Sequence, residues 1–318
     1  MIDFQYLTRG LNALARAHHM GAMAGHLGAS LISGYFIGEQ RADLHQAVLD
    51  GISSDLDRVT AGESVFGKKM AKNSKLSDPE LFEPFPREKP DGRLVDQIAE
   101  ALANNIAKPR QSGHNVIFAA LAIRALKGHP ELATPSVVAG IRKLVALFDN
   151  AHPGSGYYGK ARGRVRGNQV TLPDEDTTPP YSTVDGMAHA VLDELVALDP
   201  ATHRQGYGGL VHVNNHAAAI ADLHNLGYAE LVPAAVRAHR HHLRLWRNLP
   251  DLAAELGPTK RSEHTPHQPA YWTSGDVPVD RALLTHRVKT MFGFDELALA
   301  IDDEQKETKA YQNLRYLM

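Results

Sequence analysis

The stretch HNVIFAALAIRALKG at residues 114–128, the break at Thr134-Pro135, and VVAGIRKLVALF at 137–148 together decide the fold class. Val116, Ala119, Ala120, Ile123 and Leu126 recur at i, i+3, i+4, i+7 and i+10, which is one face of a helix. Val137, Ile141, Leu144, Val145 and Phe148 repeat the pattern. Thr134 suits an N-cap and Pro135 the first helical position. The link between the runs is short, so the two helices are expected to form an antiparallel hairpin.

The same arrangement recurs on both sides. HLGASLISGYFIG at 26–38 ends on Gly38 and precedes an amphipathic run through Leu44, Val48, Ile52 and Leu56. HAVLDELVAL at 189–198 reaches Asp199-Pro200, and HAAAIADLHNL at 216–226 reaches Gly227, with a second helix starting near Pro233. Each block reads as a histidine, an inner helix of about three turns, a turn, and in most cases a more polar outer helix. Strand signals are scarce, with no sustained period-2 alternation. Hairpins of this size cannot bury their apolar faces alone and must stack. The expectation is a single all-α domain over 1–318, built of helical-hairpin repeats in an α/α toroid-like or solenoid arrangement. Long loops are expected at about 66–92, 151–182 and 247–282. The first holds Lys68, Lys69, Lys72 and Lys75, and the last brings Tyr271 to Gly275 ahead of a further histidine helix from Leu283 to Ala300.

Composition narrows the function. With 34 basic against 36 acidic residues, the net charge of -2 offers no general field to nucleic acid or an anionic membrane. The absence of cysteine excludes disulfides, thiolate nucleophiles, iron–sulfur clusters and cysteine-type zinc sites. The opening Met1-Ile2-Asp3 lacks the basic region of a secretory signal, which points to the cytoplasm. Gly21 to Gly38 carries no charge and approaches the length of a membrane span. Its five glycines, two serines and His26 make it a buried inner helix instead.

Histidine is the anomaly, with 18 in the chain. Several stand where apolar helices begin, and there a polar ring must find a partner. If the inner helices run parallel, His26, His114, His189, His216 and His286 converge on one rim. Converging neutral imidazoles match iron, zinc, copper or nickel. His212 and His216 stand at i and i+4 and can face one point. His286 and Lys289 stand at i and i+3. A lysine held in such a pocket is costly while charged, so it is either deprotonated or carbamylated by carbon dioxide into an oxygen ligand. Asp185, Asp193, Asp222 and Glu39 are available to orient a ring or act as general base; Asp222, with Lys289, is assigned the catalytic role.

Other motifs read as bystanders. His239, His241 and His242, beside Arg237, Arg240 and Arg244, read as a solvated helix face. GSGYYG at 154–159 fits G-x-G-x-x-G but follows a helix and opens none. The basic run Lys160, Arg162, Arg164 and Arg166 reads as a solvated loop. DEDTT at 174–178 resembles the D-x-D-T-T acid of class II terpene cyclases, which are α/α toroids, and keeps a cyclase reading through Asp174 and Asp176 as an alternative. There is no G-x-S-x-G, H-E-x-x-H or Walker loop.

GHLGASLISGYFIGE at 25–39 resembles the N-H-L-P-x-A-L-x-A-L-x-x-L-G-A opening of questin oxidase-like proteins, with Gly25 for the asparagine and Gly28 for the proline. Leu284-Thr285-His286 through Lys289-Thr290 is similar to that family's H-x-x-K-T segment. The resemblance covers about a fifth of the chain by motif. It implies an all-helical oxidase of polycyclic aromatic compounds that uses a non-haem metal and dioxygen. His26, His114, His286 and Lys289 then lie at the metal, and His216 joins them on spacing. The resulting expectation is an iron oxygenase (zinc or another divalent metal being open) with an aromatic small-molecule substrate. Neither nucleic acid nor membrane is expected as a partner, and a homodimer stays open. The rival is a non-catalytic helical-repeat binding protein whose histidines are structural.

Overall fold

The computed structural model describes residues 1–66, 76–274 and 283–318. The lysines at 68, 69, 72 and 75, together with Gly275 and Pro278, lie outside them. In chain order the helices are α1 (Gln5–Ala17), α2 (Gly25–Gln40), α3 (Gln46–Thr60), α4 (Asp78–Phe82), α5 (Asp96–Ala103), α6 (His114–Gly128) and α7 (Pro135–Ala146). A two-stranded hairpin follows, β1 (Ser155–Tyr157) and β2 (Arg164–Arg166). Then come α8 (Val184–Val196), α9 (Gly209–Asn225), α10 (Val232–Arg247), α11 (Ala253–Leu256), α12 (Pro269–Thr273), α13 (Leu283–Ala298) and α14 (Glu304–Asn313). Among the described residues the protein is all-α apart from that antiparallel hairpin, in which Gly156 pairs with Val165. Strands of three residues are too short to show alternation in the sequence.

Two compact units divide the chain. The first comprises Met1–Asn104, Phe118–Asp149 and Pro266–Phe292. Its centre is the crossing of α1 with α2, where backbone meets backbone. A Cβ on Gly10 would lie 2.9 Å from the Gly28 carbonyl oxygen, and one on Gly28 would lie 2.7 Å from the Leu14 nitrogen. This close approach accounts for Gly28, one of the glycines that set α2 apart from a membrane span. Every residue of α2 from Gly25 to Ile37 is buried. Among the described residues no helix is long and apolar enough to cross a membrane. Helix α3 buries Val48, Leu49, Ile52 and Leu56, and Gly51 lets the Trp272 ring of α12 lie against it.

The second unit comprises Asn105–Ile117, Asn150–Thr265 and Gly293–Met318. Here α9 packs against both α8 and α10 and is buried from His212 to Leu223. The α9–α10 hairpin turns at Gly227, whose φ of 92° suits glycine, and Pro233 sits in the first turn of α10. Helix α14 is tied to the end of α8 by the Asn313 amide, which donates to the Leu195 carbonyl at 2.9 Å.

Candidate metal centre

Helix α6 opens under strain. Gln111, Ser112 and Gly113 all have positive φ, at 46°, 62° and 86°. Such conformations are costly for non-glycine residues and persist only where surroundings enforce them. Here the Gln111 and Ser112 amides donate to the carbonyls of His152 and Pro153 at 2.8 and 2.9 Å. Asn115 is buried and donates to the Asn105 side chain at 2.9 Å. The result places the Gln111 carbonyl against Nδ1 of His114. A carbonyl only accepts, so Nδ1 carries the proton and Nε2 keeps its lone pair.

Helix α9 opens in the same way. Tyr207, Gly208 and Gly209 have φ of 49°, 74° and 67°, and the Gly208 carbonyl accepts from Nδ1 of His212 at 2.7 Å. Gly208 must be glycine, because a Cβ there would run into the His212 ring. Nε2 of His212 is therefore also an acceptor. It lies 3.1 Å from Nε2 of His114. Two lone pairs repel at that separation unless a proton or a cation sits between them. With metal–nitrogen bonds of about 2.1 Å, this spacing subtends about 95° at the metal, which suits two neighbouring ligands. The donor geometry fits a metal.

In the first unit, Nδ1 of His26 donates to the Met23 carbonyl at 2.8 Å, which makes Nε2 an acceptor. The His26 ring stacks on Phe66, with centroids 3.9 Å apart and planes 9° apart, and meets the Phe118 edge at 5.5 Å. His286, half-buried in the first turn of α13, has its ring 4.8 Å from that of His26. Its neighbour Arg287 forms a buried ion pair with Asp55 of α3, Nη2 to Oδ1 at 2.5 Å, and stacks on Trp272. That pair fixes how α13 begins. Lys289 is 3% exposed, and burial alone pulls its pKa from 10.5 to about 7. No carboxylate pairs with it among the described residues.

Four imidazoles are thus brought together in pairs, His26 with His286 in the first unit and His114 with His212 in the second. Each ring belongs to the first four residues of its helix. Three of the four agree with the sequence reading. His216 is not a member, and the place it was expected to fill goes to His212. The physical reason is that α9 begins at Gly209, so His212 and not His216 occupies its first turn. His189 likewise stands in the middle of α8, facing Asp185 at 3.6 Å and Lys306 at 3.4 Å.

His216 instead belongs to a second histidine set, with His239 and His242 of α10. The expectation of a solvated run at 239–242 is wrong for two of its three histidines. His239 and His242, three residues apart, lie on the inner face and are fully buried, while Arg237 and His241 face solvent. His239 donates from Nε2 to the Val213 carbonyl at 3.0 Å and its Nδ1 accepts from Tyr181 at 2.7 Å. His242 donates from Nε2 to the Tyr207 carbonyl at 2.9 Å. Burial lowers both, to about 3 and about 4, despite those carbonyls. They are neutral at physiological pH.

The remaining candidates divide. Asp222 is buried on α9. Asp176 accepts from the Thr178 amide and pairs with Arg240 at 2.7 Å. Partial burial works to raise its pKa, but Thr178, Arg240 and Arg244 outweigh that and hold it below the usual value. An acid that protonates an alkene must hold its proton, whereas Asp176 is kept ionised, so the cyclase reading loses its acid. Asp174 is exposed. Within residues 154–159, Ser155–Tyr157 form the first strand of the hairpin, and no helix opens there. No family model, no curated protein and no solved structure matches this chain.

Proposed function

We propose that His26, His114, His212 and His286, joined by Lys289, hold a non-haem iron, and that the protein is an oxygenase of an aromatic or polycyclic small molecule. The observation that carries this reading is the 3.1 Å approach of two Nε2 atoms whose rings both spend their proton on a backbone carbonyl. An all-nitrogen donor set admits several metals; iron and dioxygen are favoured by the resemblance of residues 25–39 and 284–290 to questin oxidase-like proteins. Iron bound by these residues would supply dioxygen activation.

The chain's own residues do the rest. The carbonyls of Met23, Gln111 and Gly208 orient three rings and fix their tautomers, which raises ligand basicity. Phe66 and Phe118 cover His26 with apolar surface and keep water from it. Lys289, about half neutral at pH 7, adds carbon dioxide at Nζ: the N–C bond forms, one proton leaves, and the carbamate offers an anionic oxygen. Asp222 remains the candidate general base. Elemental analysis of protein expressed with iron supplementation is expected to give about one iron per chain, with loss of that iron in His114→Gln and His212→Gln. Metal content near zero in the wild type defeats the reading.

A further inference from the structure

We propose that Nε2 of His216 accepts a hydrogen bond from a substrate hydroxyl, so that the protein selects a free phenol over its O-alkyl ether. The inference rests on the aromatic substrate of the preceding reading and adds the group by which that substrate is recognised.

The position of every proton in this corner follows from one carbonyl. The Tyr207 carbonyl accepts from Nε2 of His242, so Nδ1 of His242 is a lone pair. That lone pair lies 3.3 Å from Nδ1 of His216, which must donate to it. Nε2 of His216 is thereby left as an acceptor. His216 is 0% exposed, and among the described residues no donor reaches this atom. Native interiors rarely leave such a group unmet. The ring cannot turn away, since flipping it forfeits the bond to His242, and Gly113 packs flat on it: a Cβ there would lie 2.5 Å from Cγ. The ring stands one helical turn after His212 and against the loop that opens α6, beside the His114–His212 pair. A phenol donates to this lone pair, and an ether leaves it unmet. Sites built to bond a hydroxyl discriminate strongly against analogues that lack it.

The test is calorimetric titration of the metal-supplemented chain with 1-naphthol and with 1-methoxynaphthalene, alongside metal analysis. Wild type is expected to bind 1-naphthol about tenfold tighter or more, and His216→Leu to bind the two within about twofold at unchanged metal content. His242→Phe keeps the His216 side chain but frees its tautomer, and is expected to lower the preference. Equal binding of the probes by wild type, no binding of 1-naphthol, or a preference retained in both variants overturns the assignment. Loss of metal in His216→Leu also overturns it, by making the ring a ligand. A wild-type chain without metal that still prefers 1-naphthol through His216 refutes the iron reading alone.

Discussion

The start of α13 and the inner face of α10 bury polar side chains by opposite means. At α13 the Arg287 guanidinium keeps its charge and takes Asp55 in with it. Burial works against that charge, and Asp55 more than offsets it, so the pKa of Arg287 is raised. On α10, His239 and His242 have no acid beside them among the described residues; burial strips their charge, and backbone carbonyls take the single remaining proton. The first solution fails when a partner is removed. The second tolerates the loss of one hydrogen bond better and fails in acid.

The sharpest way to break the contrast is Asp55→Asn. It strands a buried guanidinium and is expected to cost about 3–5 kcal/mol in urea unfolding, whereas Asp55→Leu combined with Arg287→Met is expected to recover most of that. A single variant as stable as the double would refute the account of α13.

Acid tests the other side. His239 and His242 titrate near 3 and 4 when folded, against 6.5 for an unburied imidazole. The unfolded chain takes up protons first, so this stability is complete above pH 6.5 and is lost as pH falls toward 4. Each ring contributes a slope of about 1.4 kcal/mol per pH unit. Glu194, raised by burial, acts in the opposite sense. Urea midpoints at pH 7 and pH 5 are expected to converge in His239→Gln relative to wild type, and parallel shifts in both proteins would count against neutral burial.

The smallest effect is expected for Tyr181→Phe, which removes the donor to Nδ1 of His239 and costs about 0.5–1.5 kcal/mol at pH 7. A neutral result there would mean that water replaces the phenol.

What was legible in the sequence follows from what periodicity can encode. The faces of α6 and α7 and the turn at Gly227 stand out because apolar spacing and glycine report local geometry. His26, His114 and His286 stand out because their helices begin close to them. Choosing between His212 and His216 was beyond spacing, since residues four apart share a face. The start of α9 depended on a run of positive φ from Tyr207 to Gly209 that no apolar pattern marks. His239 and His242 were masked by the arginines between and around them, because charge dominates a local reading while burial depends on the partner helix. The Asp55–Arg287 pair, 232 residues apart in the chain, leaves no local trace at all.

The backbone origin of the proton acceptors at His26, His114 and His212 has a consequence for substitution. No side chain exchange at residue 23, 111 or 208 can remove a main-chain oxygen; it can only move it. Tolerance at these positions is thus governed by torsion preference: asparagine, which accepts the left-handed region, should substitute for Gln111 more gently than valine of comparable bulk. Ring chemistry in this protein is inherited from chain path, and a transplant of the two lead-in loops with their first helical turns should carry the imidazole orientation along.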